Sequence, residues 1–365
     1  MIILDIHQYA SPDGQGASLA VRPFRAILPT AKRRAPSAHE AADGYAAPRP
    51  PVHLAYAGCL LSEFFIIFVS GEYYQKIRQI NMKTVTLNNG VEMPVLGLGT
   101  YKTTDPSECL TSVRDALELG YRMIDTAQFY DNEEFVGQAV ASYDVPREDI
   151  FITTKVWPTR FSDARASLME SMKKLRTDYI DLVLLHWPYG DIYAAWRDLE
   201  AMNREGLVRA IGVSNFNTDR LIDLMNFNEI APAVNQIETN LYAQRLEEHE
   251  WLERLGVAHE GYMPFGQGRI DELFLSPRLL EIAARHGKTT RQVALRYQLQ
   301  CGVIIIPKSV HRERIKANAD VFDFELSPAE MLEIRSMDKG APMTGTPETP
   351  DRVMKVTGFR LPDGK

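Results

Sequence analysis

Four residues whose side chains can hold or move a proton stand at or just after the ends of apolar, strand-like runs. Asp125 ends the run in GYRMIDTAQFYDNE, and Tyr130 follows it closely. Lys155 ends the run in ITTK, and His186 ends the run in LLHWP. Each alone has an ordinary structural explanation, such as a capped turn or a solvated lysine. If the fold brings the three strand ends together, chance is a poor explanation for four such side chains at one place.

The chemistry that suits this set is proton donation to a carbonyl oxygen. A free phenol has a pKa of about 10, and a neighbouring lysine ammonium lowers that pKa because it favours the phenolate. We expect Asp125 to hold Lys155 in place, and His186 to orient the substrate oxygen. None of these residues carries a reductant, so a hydride would have to come from a cofactor.

The elements that must position these residues alternate short strands with amphipathic helices from Met82 onward. TVTLNNGVEM predicts a small hairpin that turns at Asn89-Gly90. Eight further strands are predicted, at Val95–Leu98, Arg122–Asp125, Ile150–Lys155, Ile180–His186, Val208–Val213, Ala233–Glu238, Val257–Tyr262 and Val303–Pro307. Eight β/α units in roughly 250 residues match an α/β fold of the (β/α)8 TIM barrel type, whose active sites lie at the C-terminal strand ends.

A doubly wound sheet is the main competing fold. It usually places a G-x-G-x-x-G turn after its first strand, with an acidic residue some twenty positions later. Gly97-Leu98-Gly99 lacks the third glycine and the acid. We therefore favour the barrel with a short N-terminal hairpin, and interpret these glycines as a tight βα loop.

Composition narrows the classes of partner and compartment. The 365 residues include 41 Lys and Arg against 48 Asp and Glu, a net charge of −7. This balance argues against nucleic acid or an anionic membrane as the main partner. The three cysteines, Cys59, Cys109 and Cys301, lie far apart without metal-ligand spacing. Such sparse cysteines fit a reducing compartment, and we predict a cytoplasmic protein without a metal site.

The first 81 residues differ from the rest. Proline-rich stretches such as AKRRAPSAHEAADGYAAPRPP have no periodicity and predict disorder. The one membrane candidate, Leu54–Ser70, is short for a span and contains Glu63, so we do not expect an anchor. We predict that Met82 is the functional start. Residues 1–81 would then be a disordered or non-native extension, and residues 82–365 the barrel.

Five motifs together identify a family resemblance. They are GYRMIDTAQFYDNE, TTKVW, LLHWP, GVSNF and IPKS, which occur in this order between Lys83 and the C-terminal region. In sequence and spacing they resemble the aldo-keto reductase family. The resemblance implies a (β/α)8 barrel that reduces carbonyl compounds with NADPH. It also implies that Tyr130 is the general acid, that Lys155 and Asp125 tune it, and that His186 orients the carbonyl.

The resemblance further implies a set of cofactor contacts. IPKSVHRERIKAN follows the last strand and leads into a helix, where TIM barrels often bind phosphate. By resemblance, Lys308, Ser309 and Arg314 bind the 2′-phosphate of NADPH, and Asn318 contacts adenine. Ser214, Asn215 and Gln236 match contacts to the nicotinamide carboxamide, and Tyr262 matches the aromatic residue that stacks on the ring. The loop Gly266-Gln267-Gly268 is expected to cross the pyrophosphate.

The substrate pocket is predicted less sharply. Tyr101, Phe129, Trp157 and Trp187 match the family's pocket-wall positions, beside His186. The pattern is similar to the bacterial branch of 2,5-diketo-gluconate reductases and glyoxal reductases, which implies aldehydes, α-dicarbonyls or keto-sugars as substrates, and a monomer. Two alternatives stay open: an NADPH-binding regulatory or sensor protein, and a phosphate-binding isomerase or aldolase that uses Lys155.

Overall fold

The computed structural model describes residues 83–358, so the predictions for residues 1–81 lie outside it. Eight parallel strands form one sheet, in which each strand is hydrogen-bonded to the next one along the chain. The strands are β3 (Leu98–Gly99), β4 (Met123–Asp125), β5 (Phe151–Val156), β6 (Ile180–Leu185), β7 (Val208–Ser214), β8 (Val234–Glu238), β9 (Ala258–Tyr262) and β10 (Ile304–Ile305). The predicted (β/α)8 class and number of strands are confirmed, with boundaries that differ by a few residues.

The sheet closes into a barrel between its first and last strands. Leu96 pairs with Ile305, and Gly99 pairs with Lys308, both in parallel. A Cβ on Gly99 would lie 2.7 Å from the Ile306 carbonyl oxygen. Glycine is therefore required at this position by the close approach of two backbones. The interpretation of Gly97 to Gly99 as a βα loop is wrong, because Leu98–Gly99 is itself the strand that closes the barrel.

A hairpin covers the N-terminal end of the barrel, as predicted. Strands β1 (Thr84–Thr86) and β2 (Glu92–Pro94) are antiparallel. Gly90 has a φ of 84°, which the turn after Asn89 requires. Asn89 Nδ2 donates to the Arg209 carbonyl at 3.0 Å, near the start of β7. The opposite, C-terminal end of the barrel is the end that can hold a site.

Helices form the outer layer. They are α1 (Pro106–Glu118), α2 (Glu133–Ala141), α3 (Ala164–Leu175), α4 (Ile192–Arg204), α5 (Thr218–Asn226), α6 (Leu246–Leu255), α7 (Pro277–His286), α8 (Thr290–Gln300), α9 (Arg312–Ala319), α10 (Pro328–Arg335) and α11 (Pro350–Thr357). Asp105 caps α1 by accepting from Glu108 N, and Ser327 with Glu330 forms a full capping box on α10. No helix within residues 83–358 has both the length and the apolar character needed to cross a bilayer.

Side chains alternate between the two faces of each strand and so divide the core into two layers. Outward-facing residues such as Val183, Ile211 and Val213 pack under the helices with Trp196. Inward-facing apolar residues fill the lower barrel, and they include Met123, Phe151, Leu182, Leu184, Ala210, Val234 and Ile304. Polar side chains replace them toward the C-terminal ends of the strands.

Candidate active site

A buried ion pair lies at the C-terminal end of the barrel. Lys155 Nζ lies 2.7 Å from each carboxylate oxygen of Asp125 and 2.9 Å from the Thr126 carbonyl oxygen. The two residues are 0% and 2% exposed, respectively. Both point into the barrel because each stands at an inward position, on β5 and at the end of β4. A charge buried this deeply is tolerated only when it is paired and hydrogen-bonded.

The loop after β4 brings a phenol to this pair. A 3-10 turn, Gln128–Tyr130, follows β4, and Asp131 ends it with a left-handed φ of 54°. The turn places the Tyr130 hydroxyl 3.3 Å from Lys155 Nζ. The ammonium also lies 4.9 Å from the centre of the Tyr130 ring. The predicted meeting of Asp125, Lys155 and Tyr130 is therefore present in the structure.

The direction of the Tyr130 pKa differs from the prediction. The sequence predicts that the Lys155 ammonium lowers the Tyr130 pKa. The pKa is instead raised well above 10, first by burial and then by the negative charge of Asp125. The aspartate binds the ammonium with both oxygens, so the phenol faces a nearly neutral pair instead of an isolated cation. Tyr130 consequently keeps its proton at neutral pH and is an acid, not a base.

His186 completes the group of four. It follows β6 directly, and its ring meets the Tyr130 ring edge-on at 5.8 Å between centroids. Burial, followed by the charge of Lys155, holds its pKa well below 6.5. The imidazole is therefore neutral at pH 7, and one ring nitrogen can donate to a ligand while the other cannot. Its Nδ1 is buried without a partner among the described residues.

Aromatic side chains surround the phenol and the imidazole. Phe129 stacks on Trp157 at 4.0 Å, and Trp157 meets His186 edge-on at 5.1 Å. The Tyr101 ring lies 5.0 Å from the Tyr130 ring. Three of the four predicted wall residues are therefore gathered here. The fourth, Trp187, instead stacks on Tyr189 at 5.8 Å.

A second polar group lines the mouth on β7, β8 and β9. Asn215 Nδ2 donates to the His186 carbonyl and to Ser214 Oγ, each at 3.0 Å. The Tyr262 hydroxyl donates to Asn215 Oδ1 at 2.8 Å. Gln236 Nε2 donates to Asp125 Oδ2 at 2.9 Å. The four residues predicted to meet a nicotinamide are thus connected to each other and to the Asp125–Lys155 pair.

The sequence analysis does not predict one polar residue at the mouth, Glu260. Glu260 is 0% exposed, and its Oε2 accepts from Gln236 Nε2 at 2.9 Å. Burial and the nearby Asp125 raise its pKa to about 8. A signal was available, since Glu260 stands two residues before Tyr262 in one strand and must share its inward face.

A separate cationic site lies between β10 and α9. Lys308 pairs with Gly99 at the barrel seam, and Ser309 is buried with its Oγ accepting from His311 N at 3.1 Å. Arg314 is exposed and has no ion pair among the described residues. By contrast, the nearby Arg312 is bound by both Asp115 and Glu118. Arg314 and Lys308 are thus available to an anion. Asn318 lies buried on α9, the helix that carries Arg314.

The arrangement supports proton transfer to a ligand oxygen, and Lys308 and Arg314 form a separate group of exposed cations. The phenol can donate, and the neutral imidazole can hold the accepting oxygen. The loop Gly266–Gly268, a 3-10 turn with positive φ at all three residues, lies just beyond β9. The described residues contain no cluster of three or more side chains suited to a metal ion.

Comparison with known proteins gives consistent matches. Residues 95–339 match the model of the aldo/keto reductase family. The chain is 43% identical over 259 residues to the glyoxal reductase of Bacillus subtilis, covering 70% of this chain and 93% of that protein. It is 40% identical over 271 residues to a methylglyoxal reductase of Salmonella typhimurium, covering 73% and 98%.

Solved structures match as well. An aldo-keto reductase from a deep-sea metagenome library aligns with a TM-score of 0.71 at 40% identity, covering 73% of this chain and 98% of that chain. A Bombyx mori aldo-keto reductase in complex with NADP aligns with a TM-score of 0.67 at 35% identity, covering 71% and 94%.

Proposed function

Because the chain belongs to the aldo/keto reductase family, and is thus an oxidoreductase acting on carbonyl groups, we propose that it reduces aldehydes and α-dicarbonyls to alcohols with NADPH. The observation that carries this proposal is the contact of Tyr130 with the Asp125–Lys155 pair, next to a neutral His186. The names of the Bacillus and Salmonella relatives favour α-dicarbonyls such as glyoxal and methylglyoxal. Keto-sugars remain a third candidate class.

Tyr130 supplies the proton in this proposal. Its raised pKa keeps the phenol protonated before reaction. When the substrate oxygen becomes an alkoxide, it is a far stronger base than a phenolate and takes the proton. Lys155, 3.3 Å away, then stabilises the phenolate that forms. Asp125 holds the ammonium in position through both of its oxygens.

His186 holds the substrate oxygen near the phenol. Since its pKa is depressed, the ring does not carry a charge that would compete with Tyr130 as the acid. A neutral N–H donor polarises a carbonyl without transferring its own proton. The stacked rings of Trp157 and Phe129 offer an apolar wall for small apolar groups of the substrate.

The residues present fit NADPH. Arg314 and Lys308 are exposed cations without an ion pair among the described residues, which suits a 2′-phosphate, and Arg is well shaped for phosphate oxygens. Ser214, Asn215 and Gln236 offer hydroxyl and amide groups to a carboxamide, and Tyr262 offers a ring face. When bound, NADPH supplies the hydride that the protein side chains lack. The NADP complex of the Bombyx relative supports the same cofactor.

The direct test is NADPH oxidation by the purified protein, followed by absorbance with methylglyoxal, a simple aldehyde and a keto-sugar. Tyr130→Phe should lower kcat by roughly 10²–10⁴-fold, the contribution of a general acid. NADPH binding, measured by fluorescence, should be retained. Tyr193→Phe is the matched control, because its hydroxyl contacts Asp223 on the helical surface.

Three results would redirect the proposal. Full turnover by Tyr130→Phe would remove Tyr130 from its role as the acid. Saturable NADPH binding without turnover of any substrate would favour the sensor alternative. Activity that needs no nicotinamide would favour an isomerase or aldolase instead.

A further inference from the structure

Glu260 is a buried carboxyl that the proton-transfer scheme leaves without a role. It stands on β9, where Ala258 and Tyr262 pack against the inner core and His259 faces outward to His249 on α6. Its side chain therefore points into the barrel, beneath the mouth. Complete burial of a carboxyl without a directly bound cation is costly, so its retention requires a specific explanation.

The immediate contact of Glu260 is the side-chain amide of Gln236. The two residues are register partners on β8 and β9, and Ser214 is the partner of Gln236 on β7. Gln236 Nε2 donates one hydrogen bond to Asp125 Oδ2 and one to Glu260 Oε2, each at 2.9 Å. Both N–H groups of the amide are thus directed at carboxyl oxygens.

These two hydrogen bonds fix the orientation of the Gln236 side-chain amide, with its nitrogen toward the two acids. The Asp125 carboxylate, paired with Lys155, only accepts hydrogen bonds, so a flipped amide would set the Gln236 oxygen against it, whereas Nε2 can donate to Asp125 and to Glu260 in either charge state of Glu260. With Nε2 held by the two acids, Oε1 of Gln236 is left free of any hydrogen bond to the described residues. An acceptor so oriented suits the N–H group of a carboxamide.

We propose that Glu260 is a positioning residue that holds the Gln236 amide for the nicotinamide carboxamide, and that its charge favours the oxidised, cationic ring over the reduced, neutral one. The inference rests on the proposed function, because it takes Gln236 as a nicotinamide contact. It assigns to the barrel interior a second acid, distinct from the one that holds Lys155.

The charge of Glu260 interacts with three titratable groups around it. Asp125 on β4 repels its negative charge, Lys155 on β5 attracts it, and Tyr130 is held protonated partly by it. The neighbour on β10 is the apolar Ile304. Burial dominates and places the pKa of Glu260 at about 8, so it gains its charge as the pH rises from 7 to 9. Tyr130 and His186, with pKa values well above 10 and well below 6.5, keep their charge states across this range.

Thermodynamic linkage turns this into a measurable effect. If an ionised Glu260 favours the cationic ring, binding of NADP+ lowers the pKa of Glu260 more than binding of NADPH does. The affinity for NADP+ relative to NADPH must then rise with pH. The 2′-phosphate and pyrophosphate are common to both nucleotides, so their contributions largely cancel in the ratio.

The experiment measures dissociation constants of NADPH and NADP+ by fluorescence and calorimetry at pH 7 and pH 9. In the wild-type protein, the ratio Kd(NADPH)/Kd(NADP+) should increase by roughly fivefold or more, the usual lower range of coupling between sites. Glu260→Gln, which has the same shape and no charge, should show a ratio independent of pH. Glu260→Met, which cannot accept from Gln236, should weaken binding of both nucleotides.

Glu200→Gln is the control for removing a buried carboxylate elsewhere, since Glu200 lies on α4 and accepts from Glu229 N and Ile230 N. It should leave the pH dependence of the ratio intact. If Glu260→Met fails to fold by circular dichroism, the isosteric Glu260→Gln still decides. An identical pH dependence in Glu260→Gln and wild type would overturn the inference alone. Failure of the wild-type protein to bind either nucleotide would overturn the proposed function with it.

Discussion

The three N–H donors of Lys155 face four oxygen atoms in the structure. Both carboxylate oxygens of Asp125 and the Thr126 carbonyl oxygen accept hydrogen bonds from Lys155 Nζ. The Tyr130 hydroxyl lies 3.3 Å from the same nitrogen. The same contacts that prepare the phenol for proton transfer also make the buried pair tolerable. At the scale of the residue, stability and chemistry therefore depend on the same atoms.

Lys155→Met should show both effects. It leaves Asp125 buried with Gln236 as its remaining side-chain donor, which should lower the free energy of unfolding by roughly 3–5 kcal/mol, the cost of an unpaired buried charge. Carbonyl reduction should fall below detection. The measurement is urea denaturation followed by circular dichroism, together with the turnover assay.

The double variant Asp125→Asn/Lys155→Met separates stability from chemistry. Removing both charges should recover most of the lost stability, because neither group is left uncompensated. Activity should stay absent, since no cation remains to stabilise the phenolate. A Lys155→Met protein as stable as wild type would argue that the pair is more hydrated than its 0% and 2% exposure indicates.

At the scale of the element, helix α9 shows how neighbouring arginines acquire different roles. Arg312, at its first position, is held by Asp115 and Glu118 of α1 and so ties two helices together. Arg314 is exposed and has no ion pair among the described residues. Two positions along a helix change the direction of the side chain by about 200°, given 3.6 residues per turn.

Arg314→Ala should relax the preference for NADPH over NADH. Loss of a charge-assisted contact to a 2′-phosphate should raise the KM for NADPH by roughly 10- to 100-fold. The KM for NADH should change little, because NADH lacks that phosphate. Steady-state kinetics with both cofactors at saturating carbonyl substrate provides the measurement.

Arg312→Ala is the matched comparison within the same helix. It should lower thermal stability slightly by breaking exposed ion pairs, which are worth little individually, and leave cofactor preference unchanged. If the two variants changed NADPH preference equally, the anion site would not be specific to Arg314. Equal use of NADPH and NADH by the wild-type protein would count against the 2′-phosphate assignment.

At the scale of the whole molecule, the barrel contains every residue that the proposed function uses. The hairpin covers one end, the closing contact at Gly99 completes the ring of strands, and the site occupies the other end. The curated relatives match over 93–98% of their own lengths but only 70–73% of this chain. Monomeric state and cytoplasmic location remain predictions from sequence.

A chain that begins at Met82 should therefore be a complete reductase. We expect kcat, KM and Tm to equal those of the full chain within experimental error, because the cores of the barrel are built within residues 83–358. The assay compares the two chains side by side, and mass spectrometry of the native protein shows which is made. A large loss of activity or Tm in the shorter chain would give residues 1–81 a role.

The sequence alone determined the fold class, the eight strands and the positions of Asp125, Tyr130, Lys155 and His186. These follow from local signals: apolar runs of strand length, helix caps such as Ser327, and motifs that carry the family resemblance in order. A barrel of parallel strands places all C-terminal strand ends on one side, so residues far apart in sequence could be assigned to one mouth before their distances were known.

Only the tertiary structure decided the features that depend on what surrounds a residue. The Tyr130 pKa rises instead of falling, first because the phenol is buried and then because the negative charge of Asp125 disfavours the phenolate. Gly99 must be a glycine because a Cβ there would lie 2.7 Å from the Ile306 carbonyl oxygen, and its pairing with Asp125 makes it a strand residue. The strand pattern places Glu260 on the inward face of its strand, but only the structure sets the Gln236 amide between the carboxyl groups of Asp125 and Glu260. Burial and long-range contacts are properties of the assembled barrel, and a linear pattern of residue types does not contain them.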